Sequence, residues 1–220
     1  MSELYFEQGP IRPPSEAYSL LLRATRNCPW NRCEFCHTYK GKKFSLRTVE
    51  EVKKDIDTVQ EIVSEVKALS WTHGCGGKIT APLVNLLFQN SHYPEGLRSV
   101  ALWLHGGGKN VFLQDANSLV LKTDQLVKIL NYLKRAFPSI ERITTYARAQ
   151  TVSKKTVDDL RALCEAGISR IHIGLETGYD PLLQYMKKGV TAQEHIEAGK
   201  KVKESGISLS EYVILGLGGK

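Results

Sequence analysis

The sequence predicts an α/β fold, in which helices join the strands of a parallel sheet. Two observations carry this prediction. Short apolar segments alternate with amphipathic helical segments, and the connections between them are short. Right-handed crossovers between such strands give either an open doubly wound sheet or a curved, barrel-like one. The 220 residues, 42% apolar and 24% charged, suffice for one sizeable globular domain.

The first part of the chain is expected to be an extended lead-in over residues 1–16, followed by the main domain over residues 17–220. A Gly-Pro pair and a Pro-Pro pair interrupt the lead-in and disfavour regular structure there. The apolar run from Tyr18 to Ala24 then predicts a buried first strand.

A long helix is predicted next. Thr48 and Glu51 form a capping box, in which each side chain satisfies a free N–H group at the helix start. Apolar residues follow at three- and four-residue intervals and predict one buried face, formed by Val49, Val52, Ile56, Val59, Val63 and Val66. Residues from about 68 to 108 are rich in glycine and predict an insertion of one or two short helices with loops.

The second half of the chain shows the most regular alternation of strands and helices. Thr191 and Glu194 form a second capping box, which marks the start of the last helix. Apolar runs predict four further strands, and the periodic segments between them predict helices. The strands are expected at 111–113, 142–146, 170–175 and 209–215, and the helices at 124–136, 154–166 and 192–204.

Three cysteines lie on the loop that follows the predicted first strand. Four residues separate Cys28 from Cys33, and two separate Cys33 from Cys36. Three thiolates on one short loop can converge on a soft metal centre, and three is one fewer than a closed tetrahedral site uses. Cysteine groups of this kind hold iron–sulfur clusters. Because parallel barrels place their chemistry at the C-terminal ends of the strands, this loop lies on the expected face.

The overall composition restricts the partners and the compartment. With 30 basic and 23 acidic residues the net charge is +7, which allows nucleic acid as a partner without indicating it. No apolar run approaches the ~20 residues of a membrane span, and the N-terminal residues do not resemble a secretory signal. We therefore expect a cytoplasmic protein without a membrane partner, in which clustered cysteines indicate metal binding or catalysis.

With these motifs the chain resembles the radical S-adenosylmethionine (SAM) superfamily over roughly residues 17–220. The segment Cys33-Glu34-Phe35-Cys36 fits the second half of the family's cysteine motif, although the first spacing is four residues where three is common. Three later segments resemble family segments at the ends of strands two, four and five: Gln114–Asn117, Gly174–Thr177 and Tyr212–Gly219.

The resemblance implies a partial (βα) barrel and two cofactors. Cys28, Cys33 and Cys36 are implied to hold a [4Fe–4S] cluster, whose fourth iron binds SAM. Reductive cleavage of SAM then gives a 5′-deoxyadenosyl radical that abstracts hydrogen from an unknown substrate. A reducing partner such as flavodoxin or ferredoxin is implied as well.

The resemblance also implies which residues contact the nucleoside part of SAM. Phe35 is implied to pack against the adenine, which Ile214 and Leu215 flank. Glu176 is implied to accept hydrogen bonds from the ribose hydroxyls.

The methionine part of SAM is implied to lie at the ends of strands two and three. Asp115, Ala116 and Asn117 are implied to lie beside its amino group, since an ammonium needs acceptors. Arg148 is implied to pair with its carboxylate as a bidentate donor.

Other interpretations of the cysteines are kept open. One is a non-catalytic zinc module with His37 as the fourth ligand, which would contact nucleic acid. Another is an iron–sulfur protein that only transfers electrons.

Five strands would also leave an unpaired apolar edge, which proteins avoid. We therefore expect the chain to be truncated after strand five.

Overall fold

The computed structural model describes residues 4–219. In this part of the chain the strands are, in chain order, β1 (Leu20–Arg23), β2 (Thr25–Arg26), β3 (Ser45–Leu46), β4 (Asn110–Gln114), β5 (Arg142–Ala147), β6 (Ile168–Glu176) and β7 (Ser208–Val213).

Five of these strands form one parallel sheet in the order β1-β4-β5-β6-β7. Every neighbouring pair is parallel, and each strand pairs with the next sheet strand along the chain. Helices connect them on one side, as right-handed crossovers require. The predicted α/β architecture with five parallel strands is therefore confirmed. The short antiparallel pair β2–β3, which brackets the cysteine loop, was not predicted.

The helices of the described chain are α1 (Val49–Thr72), α2 (Ala81–Gln89), α3 (Glu95–His105), α4 (Thr123–Ala136), α5 (Ala149–Lys154), α6 (Val157–Ala166), α7 (Asp180–Tyr185) and α8 (Ala192–Glu204). The predicted capping boxes at the starts of α1 and α8 are both present.

One predicted helix boundary is wrong. The sequence predicted a helix from residue 154, but α5 ends at Lys154 and α6 begins at Val157. Thr156 and Asp159 form a third capping box, and the extended backbone at Lys155 separates the two helices. The short helix α7 was not predicted either.

Helix α1 packs its apolar stripe against the sheet. Val52, Ile56, Val59 and Val66 are fully buried, as predicted. Ile62 is also fully buried, whereas the predicted Val63 is only partly buried against the core. Each fully buried side chain of this size contributes roughly 1.5–3 kcal/mol to stability. The stripe therefore fixes α1 firmly on the sheet.

The segment predicted as an insertion contains two short helices. Helix α3 packs against α1 and approaches β1. Its Trp103 is buried and meets the ring of Phe137 edge to face, with centroids 5.3 Å apart. The division of the chain into a core and an insertion at 68–108 stays a prediction.

The two faces of the sheet carry different side chains. Leu22, Leu113 and Ile173 belong to the hydrophobic core shared with the helices. Because side chains alternate along a strand, Gln114 and His172 lie on the opposite, concave face. His172 is 2% exposed, and neither ring nitrogen has a hydrogen-bond partner among the described residues.

The lead-in crosses this concave face instead of leaving the domain. The Gly9 N–H donates to Gln114 Oε1 at 2.7 Å, and Gln114 Nε2 donates to the carbonyls of Gly9 and Ile11 at 3.0 and 3.2 Å. Further along, Glu16 is fully buried and accepts a hydrogen bond from Arg142 Nη2 at 3.0 Å. The lead-in is thus part of the wall of the barrel interior.

No helix within residues 4–219 combines the length and the apolar character that crossing a bilayer requires. The cytoplasmic location stays a prediction.

Candidate functional site

The backbone of the cysteine loop is curled by two asparagines. Asn27 and Asn31 have φ angles of 67° and 50°, in the left-handed region that asparagine tolerates better than most residues. The Asn31 N–H lies 3.4 Å from Cys28 Sγ, and its side-chain amide donates to the Tyr39 carbonyl. These contacts fold the loop back on itself, so that its cysteines face one side.

All three cysteines line one cavity of about 210 Å³ beyond the C-terminal ends of the strands. Their thiols are free and partly buried. Four of the predicted SAM contacts line the same cavity, namely Phe35, Ala116, Arg148 and Glu176. The structure therefore brings together the loop and the ends of β4, β5 and β6, and the contacts of these residues with SAM stay a prediction.

Two further predicted residues lie beside the cavity with their side chains bound elsewhere. Asp115 is fully buried, where it accepts from Arg23 Nε at 2.5 Å and from the Tyr39 hydroxyl at 3.0 Å. Asn117 donates to Thr151 Oγ1 at 2.7 Å. Neither of these two polar residues lines the cavity itself.

The structure does not bring Ile214 and Leu215 to the cavity. Strand β7 ends at Val213, and the chain then turns away from the sheet. The Ile214 N–H donates to the Glu176 carbonyl, but Ile214 is 39% exposed and Leu215 is 93% exposed. Their contact with adenine stays a prediction that this arrangement does not support.

Sequence reasoning missed several residues of the cavity wall. Ile11, Tyr39, Tyr146, Lys188 and Tyr212 also line it. Ile11 comes from the lead-in, Tyr146 from β5 and Tyr212 from β7. Tyr39 and Lys188 lie near recognisable motifs in the sequence, but only the folded chain shows that they meet there.

The segment Met186–Gly189 fastens the cysteine loop to the barrel. The Glu34 N–H donates to the Met186 carbonyl at 3.0 Å, and Trp30 Nε1 donates to the Lys187 carbonyl at 2.7 Å. Arg148 Nη2 donates to the carbonyls of Lys188 and Gly189 at 2.8 and 3.3 Å. The guanidinium of Arg148 also stacks over the Trp30 ring at 5.0 Å. We call Met186–Gly189 the docking segment.

The cavity is electropositive beside the thiols. Burial raises the pKa of Cys33, and the charges of Lys188 and Arg148 oppose that shift. Lys188 Nζ lies 2.8 Å from Glu176 Oε1 and 5.4 Å from the centre of the Phe35 ring. Fixed cations favour the thiolate form, in which cysteine binds metals.

Among the described residues, the three thiols do not converge on a single metal position. Within residues 4–219, no three His, Cys, Asp or Glu side chains are placed to hold one metal ion together. Thiolates that bind separate irons of a cluster need not meet at one point. His37, the proposed fourth zinc ligand, is exposed and is not among the residues that line the cavity.

Backbone strain is concentrated at this site. The non-glycine residues with positive φ in the described chain are Asn27, Asn31, Asp115, Glu176 and Lys187. All five belong to the cysteine loop, the ends of β4 and β6, or the docking segment. Such conformations cost of order 1–3 kcal/mol each and persist where the surroundings enforce them, typically at functional sites.

The fold and the site together define the class of protein. The sequence profile of the Radical SAM superfamily matches residues 22–220. The chain belongs to the Radical SAM superfamily of enzymes. Membership implies a [4Fe–4S] cluster and SAM as cofactors.

Two curated proteins have similar sequences. An uncharacterized methyltransferase from Pyrococcus horikoshii is 22% identical over 197 residues, which is 88% of this chain and 32% of the relative. The tRNA uridine(34) acetyltransferase of Methanocaldococcus jannaschii is 28% identical over 61 residues, which is 28% of this chain and 11% of the relative. The chain thus spans a third or less of these relatives.

Solved structures of radical SAM enzymes share the fold. OxsB, a cobalamin-dependent enzyme, matches with a TM-score of 0.58 and 22% identity, over 88% of this chain and 23% of OxsB. The methyltransferase TsrM from Kitasatospora setae, solved with cobalamin and a [4Fe–4S] cluster, matches with a TM-score of 0.55 and 14% identity. That match covers 96% of this chain and 34% of TsrM.

Proposed function

We propose that Cys28, Cys33 and Cys36 hold a [4Fe–4S] cluster in the cavity and that SAM binds beside it. The observation that carries the proposal is the meeting of these thiols with fixed cations and with Glu176 in a single cavity. In the bound state the cofactors would supply one-electron cleavage of SAM to methionine and a 5′-deoxyadenosyl radical, which takes hydrogen from the substrate.

In this proposal, the residues of the chain bind and orient the cofactors and shield the reactive intermediate from water. Phe35 offers a ring face to the adenine, and Glu176 offers a carboxylate to the ribose hydroxyls. The backbone from Asp115 to Asn117 supplies acceptors for the methionine ammonium. The rings of Tyr146 and Tyr212 line the cavity and would limit the access of water to a reactive intermediate.

Lys188 is proposed as a carboxylate partner in addition to Arg148. Arg148 Nη2 is committed to two backbone carbonyls of the docking segment. Lys188 instead reaches into the cavity, where Glu176 Oε1 lies 2.8 Å from its Nζ. Its ammonium group has three donors, so it can keep that contact and also donate to a second carboxylate.

Anaerobic reconstitution tests the proposed function. We expect about four irons and four sulfides per chain, brown absorbance, and formation of 5′-deoxyadenosine when dithionite replaces the proposed flavodoxin or ferredoxin donor. One zinc without sulfide would favour the non-catalytic zinc module and count against the proposal. An intact cluster that binds no SAM would favour electron transfer alone.

Replacing Lys188 tests the proposed SAM contact. Because a charged hydrogen bond contributes roughly 1.5–3 kcal/mol, Lys188→Gln should weaken SAM binding about 10-fold or more in equilibrium dialysis with reconstituted protein. Lys203 is an exposed lysine of α8 that does not line the cavity, so Lys203→Gln is the matched control and should change the affinity less than twofold. Equal affinities of the two variants would contradict the role of Lys188.

A further inference from the structure

A second cleft adjoins the cysteine cavity and has no role in the function proposed above. It has a volume of about 520 Å³, which lies in the range of small-molecule sites. Residues 8–12 of the lead-in form one wall, Ser19 and Leu21 from the concave side of the sheet form the floor, and Arg98 and Leu102 of α3 face them.

The cleft carries two guanidinium groups without anionic partners. Neither Arg98 nor Arg12 forms an ion pair or a side-chain hydrogen bond with any residue in the part of the chain that the structure describes. Arg98 Nε is buried and unpaired. The two Nη atoms of Arg98 are neither buried nor hydrogen-bonded within residues 4–219, so they are available to donate to an acceptor brought by a ligand. Glu95 also lines the cleft, at its exposed side.

The lining of the cleft is mixed: Gln8, Ser19 and Ser99 contribute polar groups, and apolar side chains form a continuous part of the remainder. Leu21 and Leu102 line it, and the Phe88 ring lies 5.9 Å from the guanidinium carbon of Arg98. A ligand that fits this surface has an apolar body and one anionic end. Because Arg presents a planar fork of donors, a carboxylate and a phosphate both match it.

The cleft leads toward the cysteines. Ile11 lines both the cleft and the cysteine cavity, and so forms the partition between them. The side chain of Gln114 holds this partition in place through the backbone of Gly9 and Ile11. A ligand whose anion lies at Arg98 can therefore extend along the lead-in and present its far end at Ile11.

We propose that this cleft binds the substrate, an elongated molecule with an apolar body and a carboxylate or phosphate group held by Arg98. Its role as a substrate site rests on the proposed function, whereas its selectivity for anionic amphiphiles does not. Ile11 then determines how far the substrate reaches toward the radical.

Calorimetric titration of the full, anaerobically reconstituted chain with octanoate, octyl phosphate and octylamine tests the cleft. We expect saturable binding of at least one of the two anions and binding of octylamine at least 10-fold weaker. Tighter binding of octanoate identifies a carboxylate site, and tighter binding of octyl phosphate identifies a phosphate site. Arg98→Gln should weaken binding of the anion at least 10-fold, and Arg98→Lys should retain part of the affinity.

Arg135→Gln removes an exposed helix arginine outside the cleft and should leave the affinity unchanged. The proposal is overturned if neither anion binds the wild-type chain, if octylamine binds as tightly as the anions, or if Arg98→Gln binds them like the wild type. If the cluster proposal is wrong, sulfide will be missing from the same preparation, so the two proposals can fail independently. If Arg98→Gln does not fold, the comparison of anion and amine binding by the wild-type chain still tests the selectivity of the cleft.

Discussion

A Cys33→Ala protein, reconstituted without oxygen, is expected to retain no [4Fe–4S] cluster and to form no 5′-deoxyadenosine above background. Cys33 is the middle cysteine of the loop in the sequence and lines the cavity together with Cys28 and Cys36. Losing it leaves two thiolates where the proposed cluster needs three, and no fourth cysteine of the described chain lines the cavity. Iron and sulfide content, absorbance and product analysis measure the effect.

The matched controls are the two cysteines outside the loop. Cys75 and Cys164 are partly buried against the hydrophobic core and do not line the cavity. Cys75→Ala and Cys164→Ala should lose at most about 1–2 kcal/mol of stability and keep about four irons and four sulfides per chain. A Cys33→Ala protein that still cleaves SAM would show that the cluster is held elsewhere.

Gly189→Ala is expected to loosen the docking segment and to destabilise the folded protein by about 2–5 kcal/mol. Gly189 has φ of +67°, and a Cβ there would lie 2.3 Å from the Trp30 ring. The left-handed backbone costs roughly 1–2 kcal/mol for a residue with a side chain, and overpacking adds roughly 1–3 kcal/mol. Because Trp30 also bonds the Lys187 carbonyl, displacing its ring should release the cysteine loop.

Two other glycines separate these contributions. Gly74 has φ of +70° and nothing within 4 Å of an added Cβ, so Gly74→Ala reports the backbone cost alone. Gly178 has neither a positive φ nor a close neighbour, so Gly178→Ala should be nearly neutral. Urea unfolding gives the free energies, and iron retention after gel filtration reports on the loop. If Gly189→Ala costs no more than Gly74→Ala, the contact with Trp30 does not hold the loop.

The fold was predictable to the extent that local patterns determine it. The helix starts at Thr48 and Thr191 follow from capping boxes, and the strands follow from apolar runs. The same rule identifies the box at Thr156, but the helical periodicity that continues from residue 154 concealed the break. The strands β2 and β3 have only two residues each, too few for a period-two pattern to appear.

The site was predictable where residues follow strand ends directly. The cysteines, Ala116, Arg148 and Glu176 meet because parallel strands end at one edge of the sheet. Lys188 could not be predicted, since it reaches the cavity only through contacts of the docking segment with Trp30 and Arg148. The positions of Ile214 and Leu215 depend on where the chain leaves the edge strand. The apolar pattern of the sequence alone does not indicate that point.

The path of the lead-in has a consequence for biosynthesis. Glu16 binds Arg142, which lies 126 residues later in the chain. At roughly 5–20 residues per second, a ribosome needs about 6–25 s to add that many residues. The nascent lead-in therefore lacks its partners Gln114 and Arg142 until β4 and β5 have been synthesised. The cysteine loop is completed well before that time, so an assembly factor could reach it while the interior is still open.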